Sequence, residues 1–170
     1  MNSKKILNWI ECDGGPHIIL EKHLVGKWEA TNCTSHYDKA CEIEDYIGLL
    51  PVADGYGIVI SEDISKSTWI EAQDKKGGFL VVLNFIKEGI DENTIIENIR
   101  GIDENLFKPS ELQISIKDKN LYLFAACDYG PDWIYGYSEI SLKPGNYTIN
   151  TLERCLFEDC SFRVHRLKSI

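Results

Sequence analysis

The residues best suited to chemistry lie near the amino terminus of this 170-residue chain, where Cys12, Asp13 and His17 fall close together and Cys33, His36 and Cys41 follow. A thiol hydrolase needs a thiolate activated by a histidine that an acid orients, and Cys12, His17 and Asp13 are the only compact set of that kind. The same segment also reads as a tight reversal, Asp13-Gly14-Gly15-Pro16, that feeds an apolar strand, and nothing in it marks an oxyanion hole. Cys33, His36 and Cys41, with Cys12 or His17, offer four soft or borderline ligands to zinc. Structural zinc sites pair their ligands in short knuckles, and only Cys33 with His36 has such a spacing, so the thiols read as incidental and no metal or other cofactor is expected. The glycine pairs Gly14-Gly15 and Gly77-Gly78 lack the Lys and Ser or Thr of a phosphate loop, which leaves backbone freedom as their use.

Two other groups suit recognition rather than reaction. In DKACEIED, the residues Asp38, Glu42 and Asp45 recur at near-helical spacing with Glu44 beside them, forming a face that either docks on Arg and Lys or is simply solvated. In CDYGPDWIYGY, the aromatics Tyr129, Trp133, Tyr135 and Tyr137 cluster with Asp128 and Asp132 around Gly130, Pro131 and Gly136. Aromatic rings on a rigid loop anchor an interface because they bury much area at small entropic cost, and the same rings also suit a sugar or the core of the strand that follows. The candidate partner-binding residues are therefore Tyr129, Asp132, Trp133, Tyr135, Asp38, Glu42 and Asp45, and no residue is assigned to catalysis.

The elements that must position these residues are mostly strands. Short apolar runs rich in β-branched and aromatic residues, bounded by Gly, Pro, Asn and Asp, predict strands at His17 to Leu20, Tyr56 to Ile60, Phe79 to Ile86, Leu112 to Ile116, Leu121 to Cys127, Ile134 to Leu142, Tyr147 to Leu152 and Phe162 to Leu167. Lys117 to Asn120 reads as the turn of one hairpin and Lys143 to Asn146 as the turn of a second. Helices are expected at Tyr37 to Ile43 and at Glu92 to Arg100, the latter capped by Asp91 and stopped by Gly101, with a single turn near Lys22 to Trp28. Gly15 and Gly48 are expected in backbone conformations that an L-residue resists. The fold class is α+β, mainly antiparallel β-sheet with two or three short helices, in a single domain over 1–170 whose β-rich C-terminal half begins near residue 106.

Composition narrows the partners. A formal charge of −9 repels phosphate backbones and anionic lipid and attracts basic surfaces, which excludes nucleic acid as the expected partner. No apolar run approaches the ~20 residues that cross a bilayer, and the one after Lys4 and Lys5 is interrupted at Asn8 and Glu11, too soon for a secretion signal. A cytoplasmic location is expected, and with it six reduced cysteines rather than a disulfide framework.

Two stretches carry a resemblance. Trp9-Ile10-Glu11 runs through Gly14-Gly15-Pro16 into an apolar strand, and Tyr37-Asp38, Ala40-Cys41 lead into Asp45-Tyr46, Gly48-Leu49 and Pro51-Val52. In order and spacing these motifs resemble the immunity protein 21 family, and the resemblance continues through GIVI at Gly57 to Ile60, Thr68-Trp69 and GGFLVVLNF, covering about residues 9–86. It implies a non-enzymatic bacterial protein that neutralises a cognate protein toxin of a polymorphic toxin or contact-dependent competition system by stoichiometric binding. The competing readings from the residues alone are a small-ligand or carbohydrate-binding β domain using the Tyr129 to Tyr137 aromatics, and a thiol hydrolase centred on Cys12.

Overall fold

The run HIIL at His17 shows no polar alternation, and the structure gives the reason: all five residues of its strand are buried. A strand covered on both faces needs apolar residues at every position, so this one must lie inside a layered molecule. The computed structural model describes residues 7–32, 35–61, 64, 66–130 and 132–170, which leaves Cys33 and Pro131 outside the described residues. In chain order the elements are β1 (Ile10–Glu11), β2 (His17–Glu21), α1 (Lys22–Val25), α2 (His36–Cys41), β3 (Ile47–Val52), β4 (Gly55–Ile60), β5 (Lys66–Glu71), β6 (Gly77–Ile86), α3 (Glu92–Arg100), a 3-10 turn (Glu104–Leu106), β7 (Gln113–Ile116), β8 (Asn120–Ala125), β9 (Tyr137–Ser141), β10 (Gly145–Phe157) and β11 (Cys160–Ser169). The fold is α+β and mainly antiparallel β, as the strand-rich sequence predicts.

Two antiparallel sheets stack face to face. One runs β1-β5-β6-β11-β10-β7 and the other β3-β4-β2-β8-β9. Ile19, Ile58 and Leu123 of the second sheet meet Leu80, Val82, Ile149 and Leu167 of the first in the core between them. The alternate residues of the same strands point outward and are covered in turn. Ile18, Leu20, Val59 and Phe124 lie under α1, α2 and Trp28, while Phe79, Val81, Phe162 and Val164 lie under α3 through Ile95, Ile96 and Ile99. Each such isoleucine removed from water is worth about 2 kcal/mol, which is what holds a nine-residue helix to the sheet. Helix α3 begins at Asp91, as expected, but Asp91 makes no side-chain cap bond, and Gly101 closes the helix with its N–H on Glu97 O.

Neither expected hairpin forms. β7 pairs with β10 and β8 with β2 and β9, so Lys117 to Lys119 carries the chain from one sheet to the other. β9 likewise ends in one sheet while β10 begins in the other. Alternation reports only which face of a strand is buried. Ile114, Ile116, Leu121 and Leu123 all face one core, and they do so across the two sheets rather than along one. The first crossing is held by the buried Glu21, whose Oε2 accepts from Lys117 N at 2.7 Å and from Asp118 N. The second is tied to it by Leu142 N donating to Lys119 O at 2.9 Å.

Strands β1, β3 and β5 are additions to the sequence reading. β3 contains Gly48 and Pro51, poor strand formers, and tolerates them because it is the edge of its sheet. Gly15 has φ +92°, as expected, and a Cβ there would lie 2.6 Å from the Tyr37 hydroxyl. Gly48 is different. It sits in strand β3 without a positive φ, and its constraint is space, since a Cβ would lie 2.9 Å from Ile43 Cγ2.

Two stability measurements follow. Gly15→Ala should cost roughly 1 to 3 kcal/mol from backbone strain and collision with Tyr37, and adding Tyr37→Phe should recover part of it, whereas Gly48→Ala should cost less because Ile43 can shift its side chain. Glu21→Ala, which takes the carboxylate partner from the Lys117 and Asp118 N–H groups, should cost about 1 to 2 kcal/mol by urea denaturation. Equal losses for Gly15→Ala with and without Tyr37→Phe, or a silent Glu21→Ala, would contradict these assignments.

Candidate functional site

Cys12 and His17 do come together. The turn through Gly14 and Gly15, both at positive φ, brings Cys12 Sγ to 3.2 Å from His17 Nε2, and the thiol also donates to Gly14 O at 3.1 Å. The third member of the expected set is elsewhere: Asp13 Oδ2 accepts from the Tyr135 hydroxyl at 3.1 Å. His17 Nδ1 instead meets Ser67 Oγ at 2.7 Å. Burial pushes the His17 pKa down to about 4, so the imidazole stands neutral with no carboxylate behind it to stabilise a thiolate–imidazolium pair. The arrangement ties the β1–β2 turn to β5. His36 is likewise engaged, stacked on Trp28 at 5.0 Å with its Nδ1 accepting from Glu29 N at 3.0 Å, and among the described residues no three His, Cys, Asp or Glu side chains converge as metal ligands.

The aromatic segment is the connection between β8 and β9, and it is pinned on several sides. Asp128 is buried and accepts the Tyr135 N–H at 2.9 Å, the Tyr135 hydroxyl reaches Asp13, and the Tyr129 hydroxyl donates to Asn32 Oδ1 at 2.6 Å. Trp133 lies half-buried on the outer face of its sheet, with ring centroids 5.2 Å from Tyr122, 5.7 Å from Phe124 and 4.0 Å from Tyr137. Its packed ring leaves little platform for a sugar. Strand β9 starts at Tyr137 rather than at the expected Ile134, because Gly136 at φ +81° breaks the extended run. Ile134 therefore stands at the loop's outer turn, 86% exposed. Sequence reasoning missed it, having placed Ile134 at the start of the following strand.

The acidic segment divides. Helix α2 is capped by Ser35, whose Oγ accepts from Asp38 N at 3.1 Å, and ends at Cys41. Asp38 and Glu42 are exposed on or beside it. Asp45 lies past the helix, where helical spacing no longer applies, and with Tyr46 and Ile47 it walls a cleft of about 430 Å³ opposite Lys108 to Leu112, above Thr151 and Glu153. The Tyr46 ring lies 3.4 Å from the Arg163 guanidinium carbon. Helix α2, the Gly14-Gly15 turn and the β8–β9 loop meet around Tyr37, whose hydroxyl pKa is pushed up to about 12 by burial, then by Cys41, and further by Cys127 and Cys12. The expected recognition residues thus occupy one pole of the molecule, at the end where β2 begins and β8 finishes.

Two buried histidines make acid stability a measurable property of this pole. Burial holds His17 near 4 and, with the charge of Arg163, holds His165 near 3. Unfolding restores the ordinary value of about 6.5, so the unfolded chain takes up protons first and stability falls as pH drops from about 6.5 towards 4 and below. For His17 alone the loss is on the order of 3 kcal/mol. A His17→Gln variant should show a shallower fall in urea midpoint between about pH 6.5 and 4 than the parent, and an identical slope would show that His17 titrates normally.

No curated protein and no solved structure matches this chain. A family model does, and it covers β1 to β6 together with α1 and α2, ending inside β6, so that the β8–β9 loop, α3 and the long β10–β11 hairpin lie outside it. The matched motif residues are largely the ones that build this pole: Gly15 against Tyr37, Gly48 against Ile43, Tyr46 beneath Arg163. Residues 8–83 match the family described as Immunity protein 21, the same family that the Trp9 to Leu20 and Tyr37 to Val52 motifs resemble.

Proposed function

We propose that this chain is an immunity protein that binds one cognate toxin of a bacterial polymorphic toxin or contact-dependent competition system in the cytoplasm of the producing cell, neutralising it stoichiometrically and without catalysis. The family match supports the class. The observation that carries the binding role is the β8–β9 loop, a hydrogen-bonded platform that presents Ile134 to solvent at 86% exposure with Tyr129, Asp132 and Tyr137 around it. Backbone held at Asp128 and Tyr135 loses little entropy on binding, so the exposed apolar tip beside it converts efficiently into affinity. Tyr129, Asp132, Trp133 and Tyr135 form this face, with Asp38, Glu42 and Asp45 as its acidic flank. The −9 charge would speed the encounter with a basic toxin surface.

Co-expression with the toxin encoded beside it should keep cells alive and yield a 1:1 complex; a lethal toxin in cells full of soluble immunity protein would end this reading. Ile134→Asp should weaken binding by about 2 kcal/mol or more with unchanged melting, because it removes an apolar tip that supports nothing in the free protein. Trp133→Ala should lower both affinity and stability, and Asp132→Ala should act mainly on association rate and salt dependence. Full binding by Ile134→Asp together with weak binding by Asp38→Ala and Glu42→Ala would move the face to α2.

A further inference from the structure

A second apolar feature lies at the same pole, on the other sheet. The last residues of β6 and β10 flank the first residues of β11, and one rung of that ladder reads Leu156, Ser161, Phe85. Residues opposite each other in a ladder point to the same face. Their neighbours Cys155, Phe157 and Phe162 face the α3 side, so Leu156 and Phe85 face the side on which the second sheet lies. They are nevertheless 62% and 59% exposed, because the second sheet does not reach over them. The inner boundary of this shelf is the Tyr46 ring beneath Arg163, and Arg163 is two positions along β11 from Ser161. Register shifts lie beside the rung in both pairings, between Leu152 and Cys155 and between Ser161 and Phe162, as is common where a sheet re-aims side chains at its end.

A lone exposed Leu or Phe is ordinary, but two on one rung of paired strands form a fixed patch. The charges beside it choose the occupant. Lys87 pairs with Asp159 at 3.0 Å, Lys108 with Glu153 at 2.6 Å, and the Arg163 guanidinium lies over the Tyr46 ring, so those cations are engaged within the protein. The cleft next to the shelf adds Asp45 and Glu111, and Glu88 and Glu158 each lie two positions beyond Ile86 and Leu156. A second copy of this chain would set one −9 body against another, whereas a basic partner gains from the same field.

We infer that the Phe85–Ser161–Leu156 shelf is a docking surface for a basic protein partner, which lays an apolar side chain between Phe85 and Leu156 and reaches Asp45 and Glu111 with Lys or Arg. It rests on the proposed immunity role only in identifying that partner as the toxin. The shelf and the Ile134 loop then form two contacts at one end of the molecule.

A synthetic peptide of alternating Leu and Arg, titrated into the isotope-labelled full chain, tests the surface without any toxin. Saturable amide shifts should centre on Phe85, Ser161, Leu156 and Tyr46, Phe85→Asp with Leu156→Asp should weaken binding at least about tenfold, and Ile134→Asp should leave it unchanged. Both shelf residues are exposed, and the milder Leu156→Ser keeps the test valid if the double variant loses stability. Shifts scattered over the acidic surface, equal binding of a Leu and Glu peptide, or a concentration-dependent dimer abolished by Leu156→Asp would each overturn the inference. Loss of cell rescue with the peptide site intact would remove the immunity role and leave the shelf standing; rescue with no peptide site would do the reverse.

Discussion

Burial of both faces of both sheets is the constraint on which the rest of this structure depends. The space between the sheets is filled by Ile19, Ile58, Leu80, Leu123 and Leu167, and the outward residues of the same strands need covers of their own. Helices α1 and α2 supply one cover and α3 the other. In such a molecule a polar group on a central strand is cut off from water, and most of those present find partners within the protein. His17 finds Ser67 and Cys12, Glu21 finds two backbone N–H groups, and Arg166 donates to Glu104, Leu167 O and Gly78 O while its guanidinium lies over the Phe79 ring.

Those matched groups also tie together segments far apart in the chain. Glu21 ends β2 and receives the first residues of the β7–β8 crossing, so one carboxylate couples the start of α1 to a segment nearly a hundred positions away. Arg166 does the same for the other sheet, binding the 3-10 turn through Glu104, whose carboxyl is held below its ordinary range first by Lys168 and then by Arg166. Replacing either group by an apolar one of similar shape removes a desolvated charge as well as its bonds, so their value lies as much in joining distant segments as in net stability.

The difference between the two ends of the molecule follows from the same packing. At one end the strands are joined by tight turns and by the two crossings, and Tyr56 and Ile170 are exposed there. At the other, the β1–β2 turn, α2, the β8–β9 loop and the overhanging ends of β6, β10 and β11 meet, and there the large exposed apolar residues Ile134, Phe85 and Leu156 stand on ordered backbone. Interfaces draw on such surfaces because their order is already established before the partner arrives. The Cys12–His17 contact belongs to the framework of this end, since a neutral imidazole backed by a hydroxyl orients a turn but does not sustain a thiolate.

Much of this was legible in the residues taken alone. The strand runs, helix α3 from Glu92 to Arg100, the reversal at Gly14-Gly15 and the family motifs all follow from local chemistry, since propensity, capping and positive φ act over a few residues. The candidate surface was legible in part, because acidic and aromatic clustering is a property of composition. What only the tertiary structure decided was pairing and direction. Ile114 and Leu121 alternate identically whether their strands pair side by side or face each other across a core, so the crossings at Lys117 to Lys119 and after β9 are invisible to periodicity. Likewise Trp133 and Ile134 are adjacent apolar residues in sequence, and only the position of Gly136 and the tilted ring contacts with Tyr122 and Tyr137 determine that one packs inward and the other meets solvent. Exposure depends on which strand ends where relative to its neighbour sheet, and that relation arises between segments far apart in the chain.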